Sequence, residues 1–282
     1  GSQCARGAPR LSARMSDAGD KCEWPLWRLQ SKLEQASSAE QPPNGYAVLL
    51  TTGAMNPPHR GHVTLLHQAA ARLEAAGFAV VAAWLSPSHD GYVQPKAKSL
   101  RTVGLSAAFR LEIARRLVVE DELVAVGAWE AAPERGSWPD FPVVTSALQK
   151  ELQSRPEGAK LQGSHGRVQV FYCCGTDHAA KCGLYSGMGA DRGIGLVVVP
   201  RTGERADAEN PKRLVFVAEP ASGEVAGFSS TKLRRALESQ DLETVAAATS
   251  PAAAELLLQP SADAAAEFAE DYEKLAAAGG GS

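Results

Sequence analysis

The feature that most limits what this chain can become is a pair of apolar runs separated by one amphipathic stretch. Ala47-Val48-Leu49-Leu50 is continuously apolar rather than alternating, the pattern of a strand buried on both faces of a parallel sheet. A polar turn and a predicted helix from Gly61 to Ala76 follow, and Phe78 to Leu85 reads as a second buried strand. Strand, helix and parallel strand make a βαβ unit, expected to carry the usual right-handed crossover. The fold class predicted is α/β, a doubly wound parallel sheet.

The pattern continues after a predicted polar loop, Ser86 to Thr102. A helix is expected near Ala107 to Leu117, a strand near Leu123 to Val126, and a helix near Val144 to Leu152 after an irregular Trp/Pro segment. Further strands are expected at Val168 to Cys173, Gly195 to Val199 and Leu214 to Val217. Helices at Ser230 to Glu238, Leu242 to Ala248 and Pro251 to Leu258 then make a C-terminal helical subdomain.

These elements divide the chain into an arm at 1–21, an N-terminal helix and linker at 22–45, a core at 46–220, a helical part at 221–260 and an Ala/Gly-rich tail at 261–282. Trp24, Trp27, Leu29 and Leu33 mark an amphipathic helix within 22–37, with Pro25 in its first turn. That helix covers either its own core or a neighbouring subunit in a homo-oligomer. Gly1-Ser2 looks like a cloning scar, and the Arg/Ser/Ala-rich stretch after it reads either as a transit-peptide remnant or as an arm without fixed structure.

A chain of 282 residues buries a sizeable core as one domain, with or without a small cap. Lys and Arg number 29 against 32 Asp and Glu, a net charge of -3, so no general basic field recruits nucleic acid or an anionic membrane. An anionic substrate must instead be held by a local pocket. No apolar run approaches the roughly 20 residues of a membrane span.

The five scattered cysteines, Cys4, Cys22, Cys173, Cys174 and Cys182, argue for a reducing compartment and against a disulfide framework. The expected location is cytoplasmic or nuclear, or organellar if the arm is a targeting remnant. Cys173, Cys174, Cys182 and His178 suggest zinc at first sight, but adjacent strand residues point to opposite faces and chelate together poorly. No protein-held metal is expected.

Chemistry concentrates in three places. Gly53-Ala54-Met55-Asn56-Pro57-Pro58-His59-Arg60-Gly61-His62 lies where the first strand gives way to the first helix, the end of a parallel sheet where ligands bind. Gly53 lets the turn approach a ligand, the prolines stiffen the start of the helix, and Gly61 is expected to leave room above it. His59 and His62, three apart, face the same way and suit either metal binding, for which no third ligand is spaced nearby, or hydrogen bonding to phosphate.

Phe228-Ser229-Ser230-Thr231-Lys232-Leu233-Arg234-Arg235 places hydroxyls at a helix start and arginines one turn on. This is a phosphate clamp or simply a capped helix with a solvated basic turn. Cys174-Gly175-Thr176-Asp177 ends a strand, with Gly175 allowing close approach and Asp177 able to accept hydrogen bonds from a ribose.

In this order the motifs resemble the nicotinamide/nicotinate mononucleotide adenylyltransferase family of HxGH nucleotidyltransferases, and the spacing resembles its eukaryotic members most. The resemblance is carried by GAMNPPHRGH (53–62), SPSHDGY (86–92), Trp129-Glu130, CGTD (174–177), VPRTG (199–203) and FSSTKLRRAL (228–237), which together span the predicted core. It implies a Rossmann-like sheet, and transfer of AMP from ATP, with Mg²⁺, to a pyridine mononucleotide.

It also implies site residues. His62 is the one chiefly tied to catalysis, with His59 and Arg234. Gly53, Ala54, Met55, His59, Gly61, His62, Gly175, Asp177, Ser229, Ser230, Thr231, Lys232 and Arg234 would hold ATP. Trp138 would stack on the pyridine ring ahead of Thr145, and Lys96, Lys98 or Arg101 in the lengthened loop would meet the mononucleotide phosphate. The family's second aromatic after the GxD segment has no clear counterpart here, where Gly183 to Gly193 offers only Tyr185. Ala226-Gly227 stands where an asparagine is often found.

Overall fold

A computed structural model describes residues 23–36, 42–163 and 166–279. The 1–21 arm, Cys22 and residues 280–282 lie outside these.

Six strands run in chain order: β1 Tyr46–Gly53, β2 Ala79–Pro87, β3 Val124–Val126, β4 Gln169–Cys174, β5 Ile194–Val198 and β6 Val215–Val217. They form one sheet in the order β3-β2-β1-β4-β5-β6, and every neighbouring pair is parallel. Strand order therefore reverses between β1 and β4, the switch point of a doubly wound sheet, where loops diverge and leave a crevice at the carboxyl ends. Both strands have an unbroken run of five buried residues because both faces are covered, which is why their sequences do not alternate there.

Before the sheet, α1 spans Trp27–Ala36. Within and between the strands lie α2 Arg60–Ala75, α3 Asp90–Ser99, α4 Ala107–Leu117, α5 Phe141–Ser154, α6 Gly158–Leu161 and α7 Thr176–Lys181. The C-terminal helices are α8 Ser230–Glu238, α9 Leu242–Ala248, α10 Pro251–Leu258, α11 Ala262–Glu267 and α12 Ala269–Gly279.

One face of the sheet packs Leu49, Leu85, Phe171 and Val197 against Leu66 and Leu73 of α2, Phe109 and Ile113 of α4, and the C-terminal helices. The other packs Val48, Leu50, Trp84 and Val170 against Leu29 and Leu33 of α1 and Val144 and Leu148 of α5. The N-terminal helix thus covers its own sheet. It begins later than the spacing suggested, because Trp24 precedes it, edge-on to Trp84 and stacked on Trp129 with centroids 6.4 Å apart. A Cβ at Gly127 would sit 2.2 Å from the Trp24 ring, so only glycine seats that indole.

Two expectations are corrected. The segment expected as a polar loop contains α3, whose weak amphipathicity and internal Pro95 hid it. His89 caps it, Nδ1 accepting from Gly91 N–H at 2.9 Å. The segment expected as a tail folds into α11 and α12, and Asp271 accepts hydrogen bonds from Ser106 N–H at 2.7 Å and Ser106 Oγ at 2.6 Å, at the start of α4. Phe268 and Tyr272 flank Phe109 there. No described helix is long and apolar enough to cross a membrane.

Candidate active site

The first strand delivers its chain to α2 through a turn in which the two histidines cap each other's backbone. Nδ1 of His59 accepts from Gly61 N–H at 3.1 Å, and Nδ1 of His62 accepts from His59 N–H at 3.1 Å. Their ring centroids are 3.9 Å apart. A nitrogen that accepts from a backbone N–H carries no proton, so in each neutral ring the proton resides on Nε2, which is left to donate elsewhere.

Burial, the neighbouring imidazole and Arg201 push His59 down to about 2. Burial, opposed by its hydrogen bond to His59 and aided by Arg201, takes His62 down to about 4. Both rings are thus neutral donors at physiological pH. Gly61 does not open space for a ligand, as the sequence suggested. A Cβ there would lie 2.8 Å from Cε1 of His59, so this glycine makes room for the histidine's own ring.

The second motif joins the same turn. Ser230 Oγ donates to Pro57 O at 2.9 Å, and the Arg234 guanidinium donates to Asn56 O and, at 3.2 Å, to Thr231 Oγ1. Ser229 caps α8, its Oγ accepting from Lys232 N–H at 3.1 Å. The first N–H groups of a helix have no acceptor within it, so the start of α8, beside that of α2, offers donors and a positive dipole end to an anion. Lys232 is exposed and lies beside the Phe228 ring.

Gly53 and Ala54 line the approach to this turn. Met55 instead turns its side chain into the core and has a left-handed φ of 42°, which leaves only its backbone to face a nucleotide. Gly175 and Asp177 open α7 beside the carboxyl end of β4, with Asp177 exposed. Thr176 donates to Glu204, which also accepts from Arg201 N–H at 3.0 Å and so pins the loop after β5 across this opening. Arg201 itself is 74% exposed. Its charge reaches both histidines, yet spacing alone did not single it out.

On the other side of β1 the basic segment is sorted by its helix. Lys96 Nζ donates to Tyr92 Oη at 3.0 Å, and Tyr92 stacks on Trp138 with centroids 4.7 Å apart. Lys96 and Trp138, 43% exposed, therefore come together. Lys98, two residues on along a helix, faces elsewhere, and Arg101 lies in the turn beyond α3 at φ 51°. Thr145 is withdrawn: it is fully buried in α5, and its hydroxyl donates to Phe141 O at 2.8 Å. Tyr185 packs against a third core cluster with Tyr172 and Cys174.

Two buried charged groups lie behind the site, legible only in three dimensions. Arg110 is wholly buried and donates to Ala54 O at 2.9 Å, Ser88 O at 2.7 Å, Leu105 O at 3.1 Å and Asp90 Oδ1 at 2.9 Å. One guanidinium thus ties the turn after β1 to the loop after β2. Glu130 is also buried and accepts from Ser86 Oγ at 2.9 Å, and burial pushes its carboxyl up to about 7.

Cys173 and Cys174 do face opposite sides of the sheet, one in each cluster. Among the described residues no three His, Cys, Asp or Glu groups assemble as metal ligands.

Two capped helix starts and a pair of Nε2–H donors meet at the switch point of a Rossmann-like parallel sheet, an arrangement suited to an anionic ligand. No family model matches the chain. In sequence it is 34% identical over 133 residues to a nicotinamide/nicotinic acid mononucleotide adenylyltransferase of Oryza sativa subsp. japonica, a match covering 47% of this chain and 48% of that protein. It is 35% identical over 101 residues to the protein of the same name from Arabidopsis thaliana, covering 36% and 39%. The chain thus matches about half or less of the length of these curated relatives.

In structure it is similar to the Plasmodium falciparum nicotinic acid mononucleotide adenylyltransferase complexed with NaAD. The TM-score is 0.51 at 10% identity, over 80% of this chain and 98% of that one, a likeness of fold. Over the matched segments the chain is therefore similar in sequence to nicotinamide/nicotinic acid mononucleotide adenylyltransferases, the family its motifs resemble.

Proposed function

We propose that this chain is an adenylyltransferase that joins ATP to nicotinamide or nicotinate mononucleotide, giving NAD or its deamido form and pyrophosphate. The observation that carries this reading is the joining of two helix starts, α2 and α8, through Ser230–Pro57 and Arg234–Asn56, with the Nε2–H groups of His59 and His62 beside them. Such a cradle suits a polyphosphate.

The mononucleotide phosphate is already an anion and needs no general base, so it attacks the α-phosphorus in line and pyrophosphate leaves. Catalysis then rests on alignment and on charge stabilisation by His62, Arg234 and the helix amides, with no covalent intermediate. The donors gathered here are N–H groups rather than carboxylates, so Mg²⁺ fits as the companion of the ATP phosphates. Bound with ATP, it would neutralise charge on the phosphates that His59, His62 and Arg234 are placed to hold. Lys96, beside Trp138 and Tyr92, is assigned to the acceptor phosphate. The compartment proposed is cytoplasmic or nuclear, in keeping with the free thiols.

The test is to give purified protein ATP and Mg²⁺ with nicotinamide mononucleotide, nicotinate mononucleotide or phosphopantetheine, and to measure pyrophosphate. Release with a pyridine mononucleotide supports the reading. Release only with phosphopantetheine points to another transferase, and nucleotide binding without release points to a non-catalytic protein on this fold.

A further inference from the structure

The amino ends of β4, β5 and β6 lie at the end of the sheet away from the histidine turn, about 20 Å off along the six residues of β4. They enclose a separate cavity of about 110 Å³, lined by Arg167, Gln169, Gly193 and Lys212 among others. Its walls are fixed from behind. Gln149 of α5, itself buried, donates through Nε2 to Val168 O at 2.6 Å and to Arg192 O at 2.7 Å, which ties the start of β4 to the approach of β5. Gly193 has a left-handed φ of 72°, and a Cβ there would lie 3.1 Å from Val168 O, so glycine lets these two segments close up.

Four cations stand on the segments that lead into β4, β5 and β6, and they divide into two pairs. Arg213 Nη1 donates to Ser186 O at 2.7 Å and Arg192 Nη2 to Met188 O at 3.2 Å, so these two serve backbone carbonyls. The side chains of Arg167 and Lys212 have no ion pair or hydrogen bond among the described residues, and both line the cavity. Gln169 adds a donor, because its Nε2 gives one hydrogen to Asn44 O at 3.1 Å and keeps the other. Among the described residues no carboxylate lines the cavity. Asp191 is exposed beside it, next to the lining Ala190.

A concave wall of one sign concentrates counter-ions. A guanidinium fork matches two oxygens of a tetrahedral oxyanion, and an ammonium adds a point charge. The space takes a phosphate group and is far below the roughly 300 Å³ at which pockets for whole drug-sized ligands begin. We propose that this cavity is a phosphate site, held by Arg167, Lys212 and Gln169, for inorganic phosphate or for the phosphate of a monoester whose remainder stays in solvent. The bound anion bridges the segments before β4 and β6 and so stabilises the sheet at the end opposite the candidate active site. Both cations are exposed, which sets the affinity in the millimolar range. The site is independent of adenylyl transfer.

The experiment is calorimetric titration, at constant ionic strength, with inorganic phosphate and with ribose 5-phosphate. It uses Lys96→Ala/Arg234→Gln, which removes two cations of the candidate active site, and the same chain with Arg167→Gln and Lys212→Gln added. The first should bind with a Kd of about 1 mM and the second at least about tenfold more weakly, the scale of losing hydrogen bonds to a charged group. Phosphate should raise the melting temperature of the first and not of the second. Tighter binding of ribose 5-phosphate assigns a monoester, and equal or weaker binding assigns the free ion. If either chain melts well below wild type, the wild-type chain and Arg167→Gln/Lys212→Gln are compared instead, and the loss of one phosphate site is read. Equal binding by the paired chains, or no binding by either up to about 50 mM, would overturn the proposal. Absence of pyrophosphate release from the wild-type chain overturns the adenylyl-transfer reading alone.

Discussion

His59 gives its backbone N–H to Nδ1 of His62, while its own Nδ1 takes the N–H of Gly61. This reciprocal cap fixes the tautomer of both rings before any ligand arrives. The two donors are preorganised rather than recruited, which is the condition under which a hydrogen bond contributes most to stabilising developing charge.

Replacing His62 by alanine should lower kcat by about 10²- to 10³-fold, the scale for one donor to a transition-state oxygen. The lost cap costs about 1 kcal/mol, a shift of a few degrees in melting temperature. Pyrophosphate release and a thermal melt on the same preparation separate the two effects. Near-wild-type turnover would remove His62 from the mechanism.

Gly61→Ala tests the cap from the other side. Its Cβ would sit 2.8 Å from the His59 ring, so the ring must swing out, at a cost of about 1–3 kcal/mol for overpacking. Chemical denaturation and the KM for ATP should both move. A variant as stable as wild type with unaltered ATP binding would mean the cap is dispensable.

The depressed histidines set a pH dependence. Their folded values, about 2 and about 4, lie below the unfolded 6.5, so the unfolded chain binds these protons more readily. Their stabilisation is complete above 6.5 and is lost as pH falls towards 4. His67 acts with the opposite sign. Held above its usual range by Asp121 at 2.7 Å, it adds stability below 6.5 that fades as pH rises through its folded value. Melting temperatures of wild type should therefore drop from pH 6.5 towards about 4.5 more steeply than those of His59→Gln/His62→Gln. Parallel profiles would contradict the assignment.

Lys96 and Lys98 should part company. Lys96→Ala should raise the KM for the mononucleotide by about 10-fold or more, the loss of one hydrogen bond to a charged group, whereas Lys98→Ala changes it within about twofold. Equal effects would return the phosphate contact to the segment as a whole.

Arg110→Met leaves Asp90 without its buried partner and the Ala54 and Ser88 carbonyls without a donor, while Leu105 O keeps Gln94 Nε2 at 3.1 Å. The expected cost is about 3–5 kcal/mol in denaturant titrations. The KM values for both substrates should rise together, because one side chain steadies both loops.

These cases mark where sequence was sufficient. The central strands were legible because burial on both faces leaves an uninterrupted apolar run, and the ends of α4, α8, α9 and α10 because Ser106, Ser229, Asp241 and Ser250 are ordinary caps. The histidine turn was legible as a motif, but the job of Gly61 was not, because the His59 ring that fills the space above it is placed by its own hydrogen bond to Gly61 N–H. Thr145 was misplaced because its hydroxyl has a partner within its own helix. Arg110 was not legible because Ala54, Ser88 and Asp90, which its guanidinium joins, lie 20 or more residues away along the chain. Helix α3 was hidden by Pro95, a residue that ordinarily ends helices.

Asp271 holds Ser106 at the head of the helix from which Arg110 reaches the turn after β1 and the loop after β2. The last helix is therefore a buttress for the candidate site. Anyone trimming this chain for crystallisation, or fusing a reporter to it, should keep the segment through Tyr272 whole, since a cut before it would loosen the site from behind and mimic an active-site defect.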